Sequence, residues 1–284
     1  MITIKEILYS TRNLFKENSI IDSNLESDLI LAFALKITRS QLHGHINSVI
    51  TEKEHSIING LIKRRIANEP LAYILGFREF FGNNFIVNPA VLIPRQETEC
   101  LVEIVIKYLQ NLSTINPIIL DVGCGSGIIG GSLLNIFPNI TLISIDISRD
   151  ALILTDKNIM NTIKNTNYNL VLGNLLTAIK GPVDLIIANL PYIPSHRIST
   201  LQNEVKFHEP IKALDGGRNG LELISQLIDQ SKTILSSDGA LFLEIDPDQK
   251  IKVETKLQNT FQEHIVKTTQ DLSRKDRVVA LTRL

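Results

Sequence analysis

The chain has 284 residues, 44% of them hydrophobic, and 29 basic against 30 acidic side chains leave a formal net charge of -1. That apolar share excludes a disordered chain, and the length suits one large and one small domain. Near-neutrality counts against a partner held chiefly through a phosphate backbone, and Cys100 and Cys124 cannot frame a disulfide scaffold.

At the N-terminus no basic stretch precedes an apolar run, and no apolar run approaches the ~20 residues that span a bilayer. A cytoplasmic protein without a membrane partner is expected. Leu25, Leu29, Phe33 and Ile37 recur at helical spacing after the cap candidates Asp22, Ser23 and Asn24. A second helical pattern runs from Glu54 through Ile57, Ile58, Leu61 and Ile62 to Ile66, before Pro70. Residues 1–75 therefore read as a small helical bundle with no chemistry-bearing cluster of its own. Its expected role is substrate recognition.

In residues 76–95 the texture changes. Phe77 to Phe81 and Phe85 to Val87 flank the turn residues Gly82, Asn83 and Asn84, the pattern of a β-hairpin linking two domains. Residues 96–284 then alternate strands and helices. Strands are expected at Ile118–Val122, Leu142–Ile145, Asn169–Leu172, Leu185–Ala188 and Ala240–Ile245, with a closing antiparallel pair near Val266 and Val278. Continuous apolar runs suit strands covered by helices on both faces. The expected class is α/β, a doubly wound Rossmann-like sheet.

After the first of these strands comes Gly123-Cys124-Gly125-Ser126-Gly127, opening a helix. Alternating glycines let the backbone turn tightly and approach a ligand. Residues 125–130 also satisfy the dinucleotide fingerprint, so the loop alone leaves the cofactor open. Asp146, at the end of the second strand, suits either a pair of ribose hydroxyls or the cap of the next helix. Asp121 ahead of the first glycine is more typical of S-adenosylmethionine sites than of NAD sites. Asn174 and Leu175, after the third strand, stand where an adenine ring is met in such folds, and Cys124 reads as a small loop residue.

The fourth strand ends in Asn189-Leu190-Pro191-Tyr192. The Asn189 carbonyl and a backbone carbonyl beside Pro191 offer two acceptors for a planar NH2 group, and Tyr192 offers a flat face to pack on it. Two acceptors in one plane hold a nitrogen for in-line methyl transfer without a strong base.

The glycine loop, Asp146 and this tetrapeptide resemble the class I methyltransferases that act on planar exocyclic or amide nitrogens. Glu69 to Gly76, Phe80-Phe81-Gly82, Val91 to Arg95, Thr98-Glu99, Glu209-Pro210, Ala213 to Gly217, Gly220-Leu221, Asp271-Leu272 and Lys275 to Val279 resemble the HemK-type release factor glutamine methyltransferases over nearly the whole chain. The resemblance implies S-adenosyl-L-methionine as cofactor, peptide chain release factors as protein substrate, and the glutamine amide (N5) of their Gly-Gly-Gln tip as the methyl acceptor. It implies catalytic roles for Asn189, Pro191 and Tyr192. Cofactor contacts would come from Gly123, Cys124, Gly125, Ser126, Gly127, Asp146, Asn174, Leu175 and Asn189, and substrate contacts from Asn189, Leu190, Pro191 and Tyr192. No metal and no direct nucleic-acid binding are expected. Departures fall at Leu190, where the family usually has proline, and at Gln96-Glu97, His208, Asp246-Pro247 and Arg274. Other readings stay open: an adenine-N6 nucleic-acid methyltransferase, a glutamine methyltransferase of a ribosomal protein, a docking relative without activity, and an NAD dehydrogenase resting on the fingerprint alone.

Overall fold

The structure, a computed structural model, describes residues 2–164 and 167–283. The chain divides into a helical unit through Gly76, joined by Asn203–His208, and a second unit holding the rest.

The first unit contains helices α1 (Ile4–Glu17), α2 (Ser23–Leu35), α3 (Arg39–Gly44), α4 (Glu52–Ile66) and α5 (Leu71–Leu75). Thr3, Thr38 and Thr51 open α1, α3 and α4 with reciprocal capping boxes closed by Glu6, Gln41 and Glu54. Each box satisfies two backbone donors that a helix start leaves orphaned. Leu8, Phe15, Ile30, Leu31, Leu42 and Ile58 form the buried centre. One expectation changes here. On α2, Leu25 and Phe33 are 42% and 43% exposed, and the buried face carries Ser27, Asp28, Ile30 and Leu31. The cause is electrostatic as much as apolar. Arg12 donates to Asp28 at 2.6 Å, Arg39 at 3.3 Å, and His43 Nε2 lies 2.8 Å away, so the polar side chain is satisfied where it is buried.

The second unit starts with the antiparallel hairpin β1 (Phe77–Phe80) and β2 (Asn83–Ile86). Phe80 and Phe85 are fully buried in this unit's own core, beside Leu101, Leu133 and Phe242. There follow α6 (Thr98–Gln110), β3 (Ile118–Val122), α7 (Ile128–Ile136), β4 (Thr141–Asp146), α8 (Arg149–Asn158), β5 (Tyr168–Leu172) and β6 (Val183–Ala188). Helix α9 (Asn203–His208) groups with the first unit, where buried Arg65 donates to its Glu204 at 3.0 Å. Then come α10 (Glu222–Ile234), β7 (Leu235–Glu244), α11 (Lys250–Thr260), β8 (Ile265–Gln270) and β9 (Asp276–Thr282).

Seven strands form one sheet in the order β5-β4-β3-β6-β7-β9-β8. All neighbours are parallel up to β7, and β9 runs antiparallel to both β7 and β8. Successive side chains point to opposite faces: Ile119 and Leu185 pack with α6 and α7, while Leu120 and Ile186 pack with α10 and α11. That double burial explains the unbroken apolar runs. The strand order reverses between β3 and β6, which opens a crevice at their carboxyl ends.

Candidate active site

The loop between β3 and α7 is tied to its neighbours at every turn. Gly123 N and Cys124 N both donate to Ile145 O, at 2.8 and 3.0 Å. Gly123, Gly125 and Gly127 take φ of 73°, 57° and 75°, a region that penalises any Cβ. At Gly127 a Cβ would also stand 2.7 Å from Thr155 Cγ2. Thr155 Oγ1 donates to Gly125 O at 3.0 Å, and buried Asn158 donates to Ser126 O at 2.8 Å. The loop is therefore held open around its backbone before any ligand arrives. Beneath it, Gly130 N donates to Asp121 Oδ2 at 3.0 Å. Asp121 is fully buried and its Oδ1 has no hydrogen-bond partner among the described residues. Burial pushes its pKa up to about 7, against the Gly130 hydrogen bond.

Asp146 reaches across from β4. Its two carboxylate oxygens accept from Gly125 N at 2.9 Å and Ser148 N at 2.8 Å. The cap of α8 falls to Ser148, whose hydroxyl accepts from Ala151 N. A carboxylate has about four acceptor positions, so Asp146 keeps acceptor capacity for a ligand hydroxyl beside its backbone donors. Burial raises the Asp146 pKa, opposed by these backbone hydrogen bonds. Beyond β5, Asn174 is exposed and Leu175 is buried at a left-handed φ of 51°. Few non-glycine residues adopt that conformation, and it is frequent at ligand clamps.

At the end of β6, Asn189 Nδ2 donates to Thr98 Oγ1 at 3.1 Å. Asn189 Oδ1 is thereby the end of the amide turned from Thr98. Leu190 is buried, with Cδ2 only 3.0 Å from where a Gly123 Cβ would lie, so its side chain backs the glycine loop. On the opposite wall, Arg95 donates to Glu209 Oε1 at 2.6 Å while Ile93 N donates to Glu209 Oε2 at 3.1 Å. A buried carboxylate thus fixes the segment leading into α6.

One cavity of about 510 Å³ joins these pieces, within the range of small-molecule sites. Of the residues expected at the site, Gly123, Cys124, Gly125, Ser126, Asp146, Asn174, Leu175, Asn189, Leu190 and Pro191 line it. Gly127 and Tyr192 stand outside its wall. Gly127 shapes the entry to α7, and half-buried Tyr192 packs into the core beside Leu190. Cys124 is buried and its thiol pKa is pushed well up by burial, in keeping with a small loop residue. Thr98, Arg95 and Lys212 also line the cavity without having been singled out for a role. Thr98 is 91 residues from Asn189 in sequence, so only the fold reveals their pairing.

The donor set fits a nucleoside cofactor. A glycine backbone cradle, a carboxylate with spare acceptor positions and an exposed amide beside a buried leucine surround one cavity. A parallel-sheet core closed by an antiparallel strand pair, with this crevice at the switch point, defines a Rossmann-like methyltransferase. A family model described as PrmC N-terminal domain matches residues 6–76, and one described as methyltransferase small domain matches residues 100–217. A release factor glutamine methyltransferase from Clostridium botulinum is 37% identical over 279 residues, covering 97% of this chain and 98% of that one. One from Geobacter sulfurreducens is 33% identical over 244 residues, covering 86% and 84%. Among solved structures, a methyltransferase from Pyrococcus furiosus shares the fold with a TM-score of 0.52 at 15% identity, covering 78% of this chain and 96% of that one. The 16S rRNA N2 G1207 methyltransferase of Thermus thermophilus, solved with AdoMet and guanosine, has a TM-score of 0.53 at 12% identity, covering 73% and 50%. The chain belongs to the release factor glutamine methyltransferase family.

Proposed function

We propose that this protein transfers a methyl group from S-adenosyl-L-methionine to the side-chain amide nitrogen (N5) of glutamine in the Gly-Gly-Gln motif of peptide chain release factors. The observation that carries the reading is the Asn189 amide, which lines the cavity beside the glycine cradle with its nitrogen committed to Thr98. Membership of the family supports the choice of substrate.

Asn189 Oδ1 accepts one N–H of the target amide and a backbone carbonyl beside Pro191 accepts the other. Held in that plane, the amide presents the face of its nitrogen to the donor. When bound, the cofactor would supply an electrophilic methyl on a sulfonium sulfur, which would keep the electron pair of the C–S bond as the methyl passed to the nitrogen. The nitrogen then sheds one proton to solvent, which restores a neutral amide. Orientation of this kind is worth ~7–11 kcal/mol of barrier, so a strong base is not needed before attack. Gly123, Cys124, Gly125, Ser126 and Gly127 form the cofactor cradle in this reading. Asp146 holds the ribose, Asn174 and Leu175 meet the adenine, and Leu190, Pro191 and Tyr192 shape the acceptor turn. Residues 1–75 serve as the recognition domain for the release factor, residues 76–95 as the link, and residues 96–284 as the methyltransferase domain. The protein works in the cytoplasm and binds no nucleic acid directly.

The test is methyl transfer from labelled S-adenosylmethionine to three acceptors in parallel: a purified release factor, ribosomal proteins, and adenine-containing DNA. Labelling of the release factor alone is expected. Labelling of ribosomal protein or DNA instead would move the substrate assignment to that class.

A further inference from the structure

The last residue of β7 is Glu244. Ala188 of β6 pairs in register with Leu243 of β7, so Asn189 and Glu244 leave neighbouring strands side by side. Glu244 is 1% exposed, and neither carboxylate oxygen has a hydrogen-bond partner of regular geometry among the described residues. Leaving such a group buried and unpaired is costly. The groups that act on it come from three elements. Thr98 and Glu97 lie at the start of α6, with the Cys100 thiol on the same helix; Tyr192 lies in the acceptor turn, and Arg277 on β9. Burial raises the Glu244 pKa to about 7. The Thr98 hydroxyl, Arg277 and the Tyr192 hydroxyl oppose that rise, and Glu97 adds to it. The two hydroxyls are thus within electrostatic reach of the carboxylate, and neither forms a hydrogen bond of regular geometry with it. Hydrogen bonds at catalytic sites are often long before substrate binds and tighten in the complex.

We propose that Glu244 is a positioning residue for methyl transfer: seated behind Thr98, its carboxylate sets the direction of the Thr98–Asn189 hydrogen bond and so keeps Asn189 Oδ1 turned to the target amide. The inference rests on the function proposed above and deepens it. An ionised carboxylate only accepts, so in the proposed working state the Thr98 O–H turns to donate to Glu244. Thr98 Oγ1 is then left as an acceptor toward Asn189, and only the Nδ2 end of the amide satisfies it, as found at 3.1 Å. A protonated Glu244 donates to Thr98 instead and frees the Thr98 proton for Asn189. The amide then flips, presenting N–H groups to a substrate that itself offers N–H groups. A side chain outside the cavity wall thereby decides which end of Asn189 meets the substrate.

The test pairs Glu244→Gln with Thr98→Val in the full chain, using a purified release factor as acceptor. Wild-type kcat should rise with pH about a midpoint near 7. Both variants should lose roughly 100-fold in kcat, the order expected of a misoriented reacting group, with KM values within a few-fold and the pH dependence abolished. A second readout needs no turnover. The Asn189 side-chain NH2 resonance, assigned by its loss in Asn189→Ala, should titrate in the wild type with the same midpoint and stay fixed in Glu244→Gln. A folded Glu244→Gln or Thr98→Val protein with wild-type kcat, or an Asn189 resonance indifferent to pH in the wild type, overturns the proposal. If the wild type labels no release factor while the resonance still titrates through Glu244, the substrate reading fails and the control of Asn189 stands.

Discussion

Asn189 Nδ2 donates to Thr98 Oγ1 at 3.1 Å, which joins the end of the fourth parallel-sheet strand to the first turn of a helix 91 residues earlier. The bond removes the amide's freedom to rotate and commits its oxygen to the cavity. In the proposed role as acceptor for the target amide, Asn189 would need no ordering during turnover, because the fold already orders it.

Asn189→Ala should therefore nearly abolish transfer while leaving cofactor affinity within a few-fold. Loss of a hydrogen bond to a buried polar partner costs ~1–3 kcal/mol, and loss of orientation adds to it. Single-turnover methylation and calorimetric binding of S-adenosylmethionine separate the two effects. An Ala variant that keeps most of its turnover removes Asn189 from the acceptor site.

The sheet was legible because its central strands are buried on both faces and read as apolar runs at Ile118–Val122 and Leu185–Ala188. The glycine loop and the tetrapeptide were legible because strand ends place them. Thr98 appeared only within a family-like stretch, and Glu244 closes an apolar strand as one acidic residue among others. Their meaning depends on β6 and β7 being neighbours, which sequence order alone does not state. A carboxylate at the end of the strand adjoining the Asn189–Tyr192 turn was the available signal. On α2 the apolar spacing pointed to Leu25 and Phe33, but buried Asp28, with Arg12, Arg39 and His43 converging on it, turned the other face inward.

Asp146→Ala should weaken S-adenosylmethionine binding by about 10- to 100-fold, since hydrogen bonds to a charged acceptor are worth ~1.5–3 kcal/mol. The substitution also frees Gly125 N and Ser148 N, so the loop loosens with it. Titration calorimetry reads the change directly. Unchanged affinity would leave Asp146 a loop tether only.

Stability should fall as pH rises toward neutrality. Asp121 and Glu244 are both raised to about 7 in the folded chain, from ordinary values of 3.8 and 4.5. Between those limits the folded state holds more protons than the unfolded state, so their contribution is fully present below the unfolded pKa values and is lost as pH climbs to the folded ones. Glu244→Gln, neutral at every pH, should melt close to the wild type at about pH 5 and above it at about pH 8. A variant that melts lower at both would show that the carboxylate stabilises the fold.

If residues 1–75 recognise the release factor as proposed, a chain starting at Phe77 should keep cofactor affinity and methylate intact release factor poorly. Initial rates on intact factor, with binding of S-adenosylmethionine as the folding control, decide it. Rates equal to the full chain would reassign residues 1–75 to another task.

Mass mapping of a release factor after incubation with this protein and S-adenosylmethionine gives the most direct test of the methyl acceptor. A single added methyl group is expected on the side-chain amide of the Gly-Gly-Gln glutamine, absent when Asn189→Ala replaces the wild type. A methyl group on any other residue, or an unmodified factor in the presence of a cofactor-binding enzyme, would contradict it.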